Sequence, residues 1–455
     1  MPKTEEQNPW DHLEALVEDA PRREIESFLA TLSAGEIARA VSRLSHDDQD
    51  RLLTRLRPDD AADLIETLPD PQAAEIVERL EPTAAARIVH ELPSDERADL
   101  IGDLPEPEAK AILEALPPDE ADQVRTMAEY PADTAGGLMV TEYLSFLDDR
   151  TVADVVSDLR RGADRYADYD VQYAYVTNRS GCLVGVLRLR DLLLAPELQG
   201  ICNLMILAPM TVSDTSGLDE LRAFFEQHNF LGVPVVDSGG RLLGVIHRAS
   251  VEEALSERSD QDYLKTQGIV GGEELRGMPL LLRSRRRLAW LSVNVLLNIV
   301  AASVIALYQD TLQAVIALAV FLPIISDMSG CSGNQAVAVS MRELTLGLIQ
   351  ARDVVRVWLK EVFVGVINGV ALGLLIAAAA SVWQANAWLG LVVGGALAAN
   401  TVVAVSIGGT VPLMLRRFGI DPALASGPVL TTITDMCGFF LTLSLAAALL
   451  PRLVG

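Results

Sequence analysis

The sequence predicts a multidomain membrane protein: an α-helical solenoid, then a pair of α/β units, then an all-α transmembrane domain of five helices. Three observations predict it. Leucines recur with a step of twelve at Leu32, Leu44, Leu56, Leu68, Leu80, Leu92, Leu104 and Leu116. One strand–turn–strand–helix pattern occurs twice between about 137 and 255. After a basic cluster, Arg283, Arg285, Arg286 and Arg287, the chain becomes a series of long apolar stretches.

Charge follows the same division. From Leu288 onward there are seven acids and seven bases, so the whole net charge of −25 falls on residues 1–287. An acidic front part argues against a nucleic-acid partner, which wants a basic face. It suits a surface that attracts cations. The four cysteines, Cys182, Cys202, Cys331 and Cys437, form no CxxC pair, so neither a disulfide framework nor a zinc site is indicated. The segment MPKTEEQNPW is polar and acidic and lacks the apolar core of a signal peptide, which places the front part in the cytosol. No P-loop, Ser–His–acid arrangement or hydrolase motif is present. The five histidines (His12, His46, His90, His228, His247) lack ligand spacing, so no enzyme is expected.

The solenoid is assigned to 1–128. A second apolar pair keeps the twelve-residue step: Leu52–Leu53, Leu64–Ile65, Ile76–Val77, Ile88–Val89, Leu100–Ile101 and Ile112–Leu113. Most units from Leu56 onward carry a proline just after the leucine, and proline is accepted in a helix's first turn but not in its middle. Each unit is thus a short helix of about two turns and a tight corner. One such helix cannot bury its apolar face alone, whereas stacked neighbours can. Acids gather at the helix starts, among them Asp59, Asp60, Asp95 and Glu96. They either complement the helix dipoles or form a diffuse surface for divalent cations; Asp260 and Asp262 further on join the same regulatory candidates.

The two α/β units are assigned to 129–198 and 199–258. The first reads as a helix over 152–161, the strands VQYAYVTNRSG and CLVGVLRL, then RDLLLA. The second repeats the order as DELRAFFEQHNF, LGVPVVDSGG, RLLGVIHR and ASVEEAL, with turns that fit hairpins. Pro234-Val235-Val236-Asp237 with Arg241-Leu242-Leu243-Gly244-Val245-Ile246 resembles tandem CBS domains, a regulatory module that binds adenine nucleotides or ions between its halves. That resemblance implies ATP or another adenine nucleotide as a ligand. Where many CBS units end in a strand followed by Thr or Ser and an Asp, this chain has His247-Arg248-Ala249-Ser250, which departs from the ribose contact and leaves the nucleotide-binding residues unassigned.

A linker (plug) helix is assigned to 259–287 and the transmembrane domain to 288–455. Candidate spans are 288–307, 312–341, 362–382, 388–415 and 422–450. Basic residues alternate between their connections, which under the positive-inside rule puts the N-terminus in the cytoplasm and the C-terminus outside. In the second span Pro323, Gly330 and Gly333 are expected to weaken or break the helix. The last span carries one charge, Asp435, near its middle. A carboxylate there costs several kcal/mol unless it faces water, a cation or a partner, so a cation pathway through Asp435 is expected.

Asp421-Pro422-Ala423-Leu424-Ala425-Ser426-Gly427-Pro428 leading to Thr431-Thr432-Ile433-Thr434-Asp435, with Tyr130-Pro131-Ala132-Asp133-Thr134-Ala135-Gly136-Gly137-Leu138-Met139 at the junction into the first α/β unit, resembles the MgtE-type magnesium channel/transporter family. The resemblance covers nearly the whole chain. It implies Mg2+ entry across the cell (inner) membrane by a homodimer, with Asp435 as the pore carboxylate contributed twice. Asn334, Gln335, Asn400, Thr431, Thr432 and Thr434 become pore-lining candidates, although Asn400 reads more readily as helix–helix glue than as a ligand. Asp327 is a vestibule acid or a structural one. Asp421 is a gate site at the cytosolic mouth or the cap of the last helix. Ser329-Gly330-Cys331 departs from the family's usual Gly-Gly-Asn and bears on selectivity. Gating by cytosolic Mg2+ through the acidic domains is expected. The rivals are a transporter of Co2+ or Mn2+ and a membrane-bound nucleotide sensor that transports nothing.

Overall fold

The computed structural model describes residues 8–163, 165–166, 169, 173–266, 268–269 and 280–454, with the side chains of 424–426 left aside. The chain divides into two compact units, residues 1–258 and 259–455.

The first unit opens with the repeat. Helices α1 (Pro9–Asp19), α2 (Arg22–Leu29), α3 (Ala34–Val41), α4 (His46–Arg55), α5 (Pro58–Glu66), α6 (Asp70–Arg79), α7 (Pro82–Glu91), α8 (Ser94–Asp103), α9 (Glu106–Ala115) and α10 (Pro118–Ala128) follow one another with corners of a few residues. The corner leucines Leu44 through Leu116 are all buried, as is every member of the second apolar pair except Leu113, which packs against the same core. Alternate helices pack together: α4 on α6, α5 on α7, α6 on α8, α7 on α9 and α8 on α10. The twelve-residue step explains this, because each corner reverses the chain and returns the apolar face to the helix two units back.

Both α/β units have the expected order. In the first, β1 (Leu144–Leu147), α11 (Val152–Arg161), β2 (Tyr173–Thr177), β3 (Leu183–Arg188), α12 (Leu189–Leu194) and β4 (Ile206–Leu207) give a sheet ordered β1-β2-β3-β4. In the second, β5 (Val212–Ser213), α13 (Leu218–Gln227), β6 (Gly232–Val236), β7 (Leu242–His247) and α14 (Arg248–Thr266) give β5-β6-β7. The first pair of each sheet is parallel and the second antiparallel. The hairpin turns are built alike. Asn178 Oδ1 accepts from the amides of Ser180 and Cys182, and Asp237 Oδ1 from those of Gly239 and Arg241. The turns face each other across the pair, the Leu183 amide donating to the Gly240 carbonyl and the Leu242 amide to that of Gly181. Val171 and Gln172 of the expected first strand lie outside the described residues.

The second unit is helical. It contains the end of α14, then α15 (Leu280–Leu307), α16 (Gln309–Ala314), α17 (Leu318–Thr345), α18 (Val354–Gln384), α19 (Ala387–Arg417), α20 (Pro422–Ala448) and α21 (Leu450–Val454). Among the described residues α15, α18, α19 and α20 contain stretches long and apolar enough to cross a membrane. The second expected span becomes α16 and α17. At 28 residues α17 has the length to cross, but Ser326, Asp327, Ser329, Ser332, Asn334 and Gln335 make it more polar than the other four. The linker assigned to 259–287 is α14 as far as Thr266 and α15 from Leu280; residues 267 and 270–279 of it lie outside the described residues.

The expected break in the second span is not there: α17 runs through Pro323, Gly330 and Gly333 without interruption. Pro323 lies in the second turn of α17, inside the helix, and costs one backbone bond without ending it. Gly333 serves packing instead. A Cβ on Gly408 of α19 would fall 2.2 Å from the Gly333 carbonyl oxygen, so the two backbones touch where neither residue has a side chain. Close approach at small residues is the usual device of helix association in membranes.

Candidate functional site

Asp435 lies in α20 and is 9% exposed. Its Oδ1 accepts a hydrogen bond from the Ser326 hydroxyl of α17. Among the described residues no basic side chain pairs with it. Thr434, the preceding residue, is fully buried, and its carbonyl accepts from Asn400 Nδ2 of α19 at 3.0 Å. The sequence reading placed Asn400 among pore-lining candidates; the structure puts it fully buried between α19 and α20, in the role of helix–helix glue. Three helices thus converge on two consecutive residues.

The threonines before Asp435 bond back along their own helix. Thr431 donates to the Gly427 carbonyl at 2.9 Å, Thr432 to that of Pro428 at 2.7 Å, and Thr434 to that of Thr431 at 2.9 Å. A hydroxyl whose proton is spent on its own backbone turns its lone pairs outward, which suits it to meet a hydrated cation. Thr431 is exposed and Thr432 half-buried, so these two are open to such a cation, while Thr434 is closed off.

On α17 the residues Asp327, Cys331, Asn334 and Gln335 are exposed. Their i, i+4, i+7, i+8 spacing lays them along one stripe. Asp327 therefore stands on a different face from Ser326, because successive helical residues are rotated by about 100°. The sequence reading left Asp327 as a vestibule acid or a structural one. The residue that reaches Asp435 is its neighbour Ser326, which was not singled out, and the signal that could have found it is two consecutive polar residues inside an apolar span.

Asp421 is the N-cap of α20. Its Oδ1 accepts from the Ala423 amide at 2.9 Å, and its Oδ2 lies 3.1 Å from Lys265 Nζ, near the end of α14. Lys265 also stands 3.8 Å from Asp262. Asp260 is exposed on the same helix.

The regulatory candidates separate into two groups. Asp59 and Asp60 are paired with Arg57, at 3.3 and 2.7 Å. Asp95 and Glu96, in contrast, belong to a crowd of acids. A small cleft between α5, α6 and α8 is lined by Glu66, Asp70, Glu96, Asp99 and Asp103, over a floor that includes Ile65, Leu68 and Leu92. Desolvation, then the charges of Asp95, Asp70 and Asp99, push Glu96 up to about 8. Desolvation, then Asp95, Asp103 and Asp70, push Asp99 up to about 7, with Glu257 of α14 adding to it. Asp95 is raised to about 6, chiefly by desolvation, with Glu142 and Glu253 contributing. Carboxyls whose neighbours are acids hold protons at neutral pH unless a cation replaces them. Among the described residues no three such side chains converge closely enough to hold a bare metal ion, so the crowd is suited to a hydrated or bridging one.

The profile described as "Divalent cation transporter" matches 322–445, that of the MgtE intracellular N domain matches 6–87 and 32–133, and that of the CBS domain matches 201–257. The magnesium transporter MgtE of Bacillus subtilis is 30% identical over 335 residues, 73% of each chain. This chain belongs to the MgtE family. The magnesium transporter MgtE of Thermus thermophilus is 33% identical over 332 residues, 72% of each chain. The solved soluble part of a magnesium transporter superposes with a TM-score of 0.50 at 23% identity, covering 55% of this chain and 98% of that one, and shows the fold of the front part. MgtE membership thus carries a helical N domain, a CBS pair and a helical membrane domain. The CBS profile falls on the second copy, the one with the tighter sequence pattern.

Proposed function

We propose that this MgtE-family chain mediates Mg2+ entry through a homodimeric pore whose carboxylates are the two copies of Asp435. The observation that carries the reading is the placement of Asp435: a buried acid within an apolar helix, bonded to a serine hydroxyl and, among the described residues, paired with no base. Mg2+ sheds its waters reluctantly and is usually held by one or two carboxylates. Two facing carboxylates, with the lone pairs of Thr431 and Thr432 nearby, suit a hydrated ion that must enter and leave. The two relatives named above are both called magnesium transporters, which supports Mg2+ over Co2+ or Mn2+ as the cargo.

The pore is formed by five spans, with α17 as the polar one, lining it by its Asp327–Gln335 stripe. Alternating basic connections place the N-terminus in the cytoplasm of a cell whose inner membrane holds the protein, and the C-terminus outside. The acidic first unit senses cytosolic Mg2+. Without it, the ionised forms of Asp95 and Asp99 of α8 are disfavoured by Glu253 and Glu257 of α14, respectively; with it, bridging ions favour the compact state. Helix α14 carries Glu253 and Glu257 toward its start and Lys265, beside Asp421, at its end, so one element joins the sensor to the mouth of the last span. A ligand shifts such an equilibrium only through its preference for one state, and the crowding of acids around Asp95 and Asp99 supplies that preference. The CBS pair is the place for an adenine nucleotide such as ATP.

The decisive experiment is Mg2+ uptake into proteoliposomes by wild type, Asp435→Ala and Asp435→Asn. Flux falls to background in the alanine variant and by at least tenfold in the asparagine variant. Unchanged flux in both removes the pore assignment.

A further inference from the structure

We propose that Ser326 is a positioning residue that sets the ion preference of Asp435, disfavouring Ca2+ relative to Mg2+. The inference rests on Asp435 being the pore carboxylate. Its own basis is separate: the Ser326 hydroxyl donates to Asp435 Oδ1 from another helix, and the backbone beside Asp435 is held from a third. Asn400, fully buried, donates Nδ2 to the Thr434 carbonyl at 3.0 Å. Gly438, one turn further along α20, makes room for that amide, since a Cβ there would fall 2.8 Å from Asn400 Nδ2. The carboxylate is therefore fixed both at its preceding peptide and at one of its two oxygens.

The chemistry follows from which oxygen remains. With Oδ1 engaged by a hydroxyl, Oδ2 is the oxygen left to face an ion, and a two-oxygen grip on a bare cation requires giving up the serine bond. Ca2+ accepts carboxylates through both oxygens and tolerates irregular coordination, whereas Mg2+ keeps an octahedral water shell and takes one oxygen or meets the carboxylate through its waters. A donor on Oδ1 also withdraws negative charge, which lowers the field strength that draws an ion out of its hydration shell. Both effects cost Ca2+, which gains from direct two-oxygen contact, more than a Mg2+ ion met through one oxygen or through its waters.

The test is Mg2+ flux in proteoliposomes of the full chain, with Ca2+ titrated as a competitor, for wild type, S326A, S326C, S326T and D435A. S326A and S326C, which lose the strong donor, are expected to lower the Ca2+ concentration that halves Mg2+ flux by about tenfold. S326T, which keeps a hydroxyl, should stay within about twofold of wild type. A merely structural role for Ser326 moves total flux or melting temperature and leaves the Ca2+ midpoint alone. Wild-type Ca2+ midpoints in S326A and S326C, with D435A inactive, overturn the inference while the pore reading stands. Wild-type flux in D435A overturns the pore reading itself, and the inference with it.

Discussion

Lys265 Nζ lies 3.1 Å from Asp421 Oδ2, joining the end of α14 to the first residue of the last membrane helix. The ammonium engages one carboxylate oxygen of Asp421, and the other oxygen caps α20 through the Ala423 amide. Partly exposed pairs of this kind contribute roughly 0.2–1 kcal/mol. Removing the charge in Lys265→Ala should therefore raise Mg2+ flux at closing Mg2+ concentrations by about two- to fivefold. Asp421→Asn isolates the same contact, because an asparagine oxygen still caps the helix, and should give the same increase. Proteoliposome flux at low and high Mg2+ reads both; a change in neither means that the pair does not hold the closed state.

The crowded acids of the first unit make a statement about pH. Glu96 and Asp99 hold their protons up to about 8 and about 7, well above the ordinary carboxyl range, because desolvation and the neighbouring acids disfavour their charged forms. A raised folded-state pKa means that the protonated carboxyl is the stabilising form. That stability is complete below the unfolded value near 4 and is lost as pH rises through 7 and 8. In chelator the melting temperature of the first unit should fall between pH 5.5 and 8.5. The rise produced by added Mg2+ should be largest at pH 8.5, where the ion meets ionised groups, and smallest at pH 5.5. Thermal melts of the detergent-solubilised chain, with and without Mg2+, test this; a Mg2+ effect independent of pH places the ion elsewhere.

Gly408 and Gly395 sit on the same helix in opposite situations. A Cβ at Gly408 meets the Gly333 carbonyl at 2.2 Å, while one at Gly395 meets nothing within 4 Å. Gly408→Ala must push α17 away from α19 and should destabilise the membrane unit by about 1–3 kcal/mol. Gly395→Ala should be neutral or slightly stabilising, since alanine is the better helix former by about 1 kcal/mol in water. Melting temperature and monodispersity in detergent distinguish them. Equal behaviour of the two variants contradicts the close crossing.

Much of this arrangement is legible in the chain. The twelve-residue leucine step forecasts the solenoid and its core because a fixed period can be satisfied only by stacked, equivalent units. The doubled strand–hairpin–helix pattern forecasts both sheets and their hairpins, while the capping of those turns by Asn178 and Asp237 comes from the structure. Asp435 is conspicuous because a lone charge in an apolar run has no bland explanation. What fails is long-range pairing. Ser326 and Asp435 are 109 residues apart and Lys265 and Asp421 are 156 apart; the polar pair Ser326-Asp327 marks a spot in its span, but nothing local in the sequence says which partner either residue takes. Composition also misleads in α17. Glycine and proline read as helix breakers, yet tertiary packing overrides that preference once a neighbouring backbone uses the space.

The sensor can be tested by supplying the cation covalently. Glu257 of α14 is one of the charges that raise Asp99, and Glu253 one of those that raise Asp95. In Glu257→Lys an ammonium takes the place of one of these acids beside Asp99, standing in for the bridging Mg2+ proposed above. The compact state then forms without the ion, so flux at low cytosolic Mg2+ should drop severalfold. Trypsin protection of the first unit should appear at lower Mg2+ than in wild type. Glu257→Gln removes repulsion without adding attraction and should fall between the two. An ordering in which lysine behaves like glutamate excludes electrostatic closure at this contact, while the intended ordering is lysine below glutamine below glutamate in flux, with the isosteric glutamine separating charge from side-chain size.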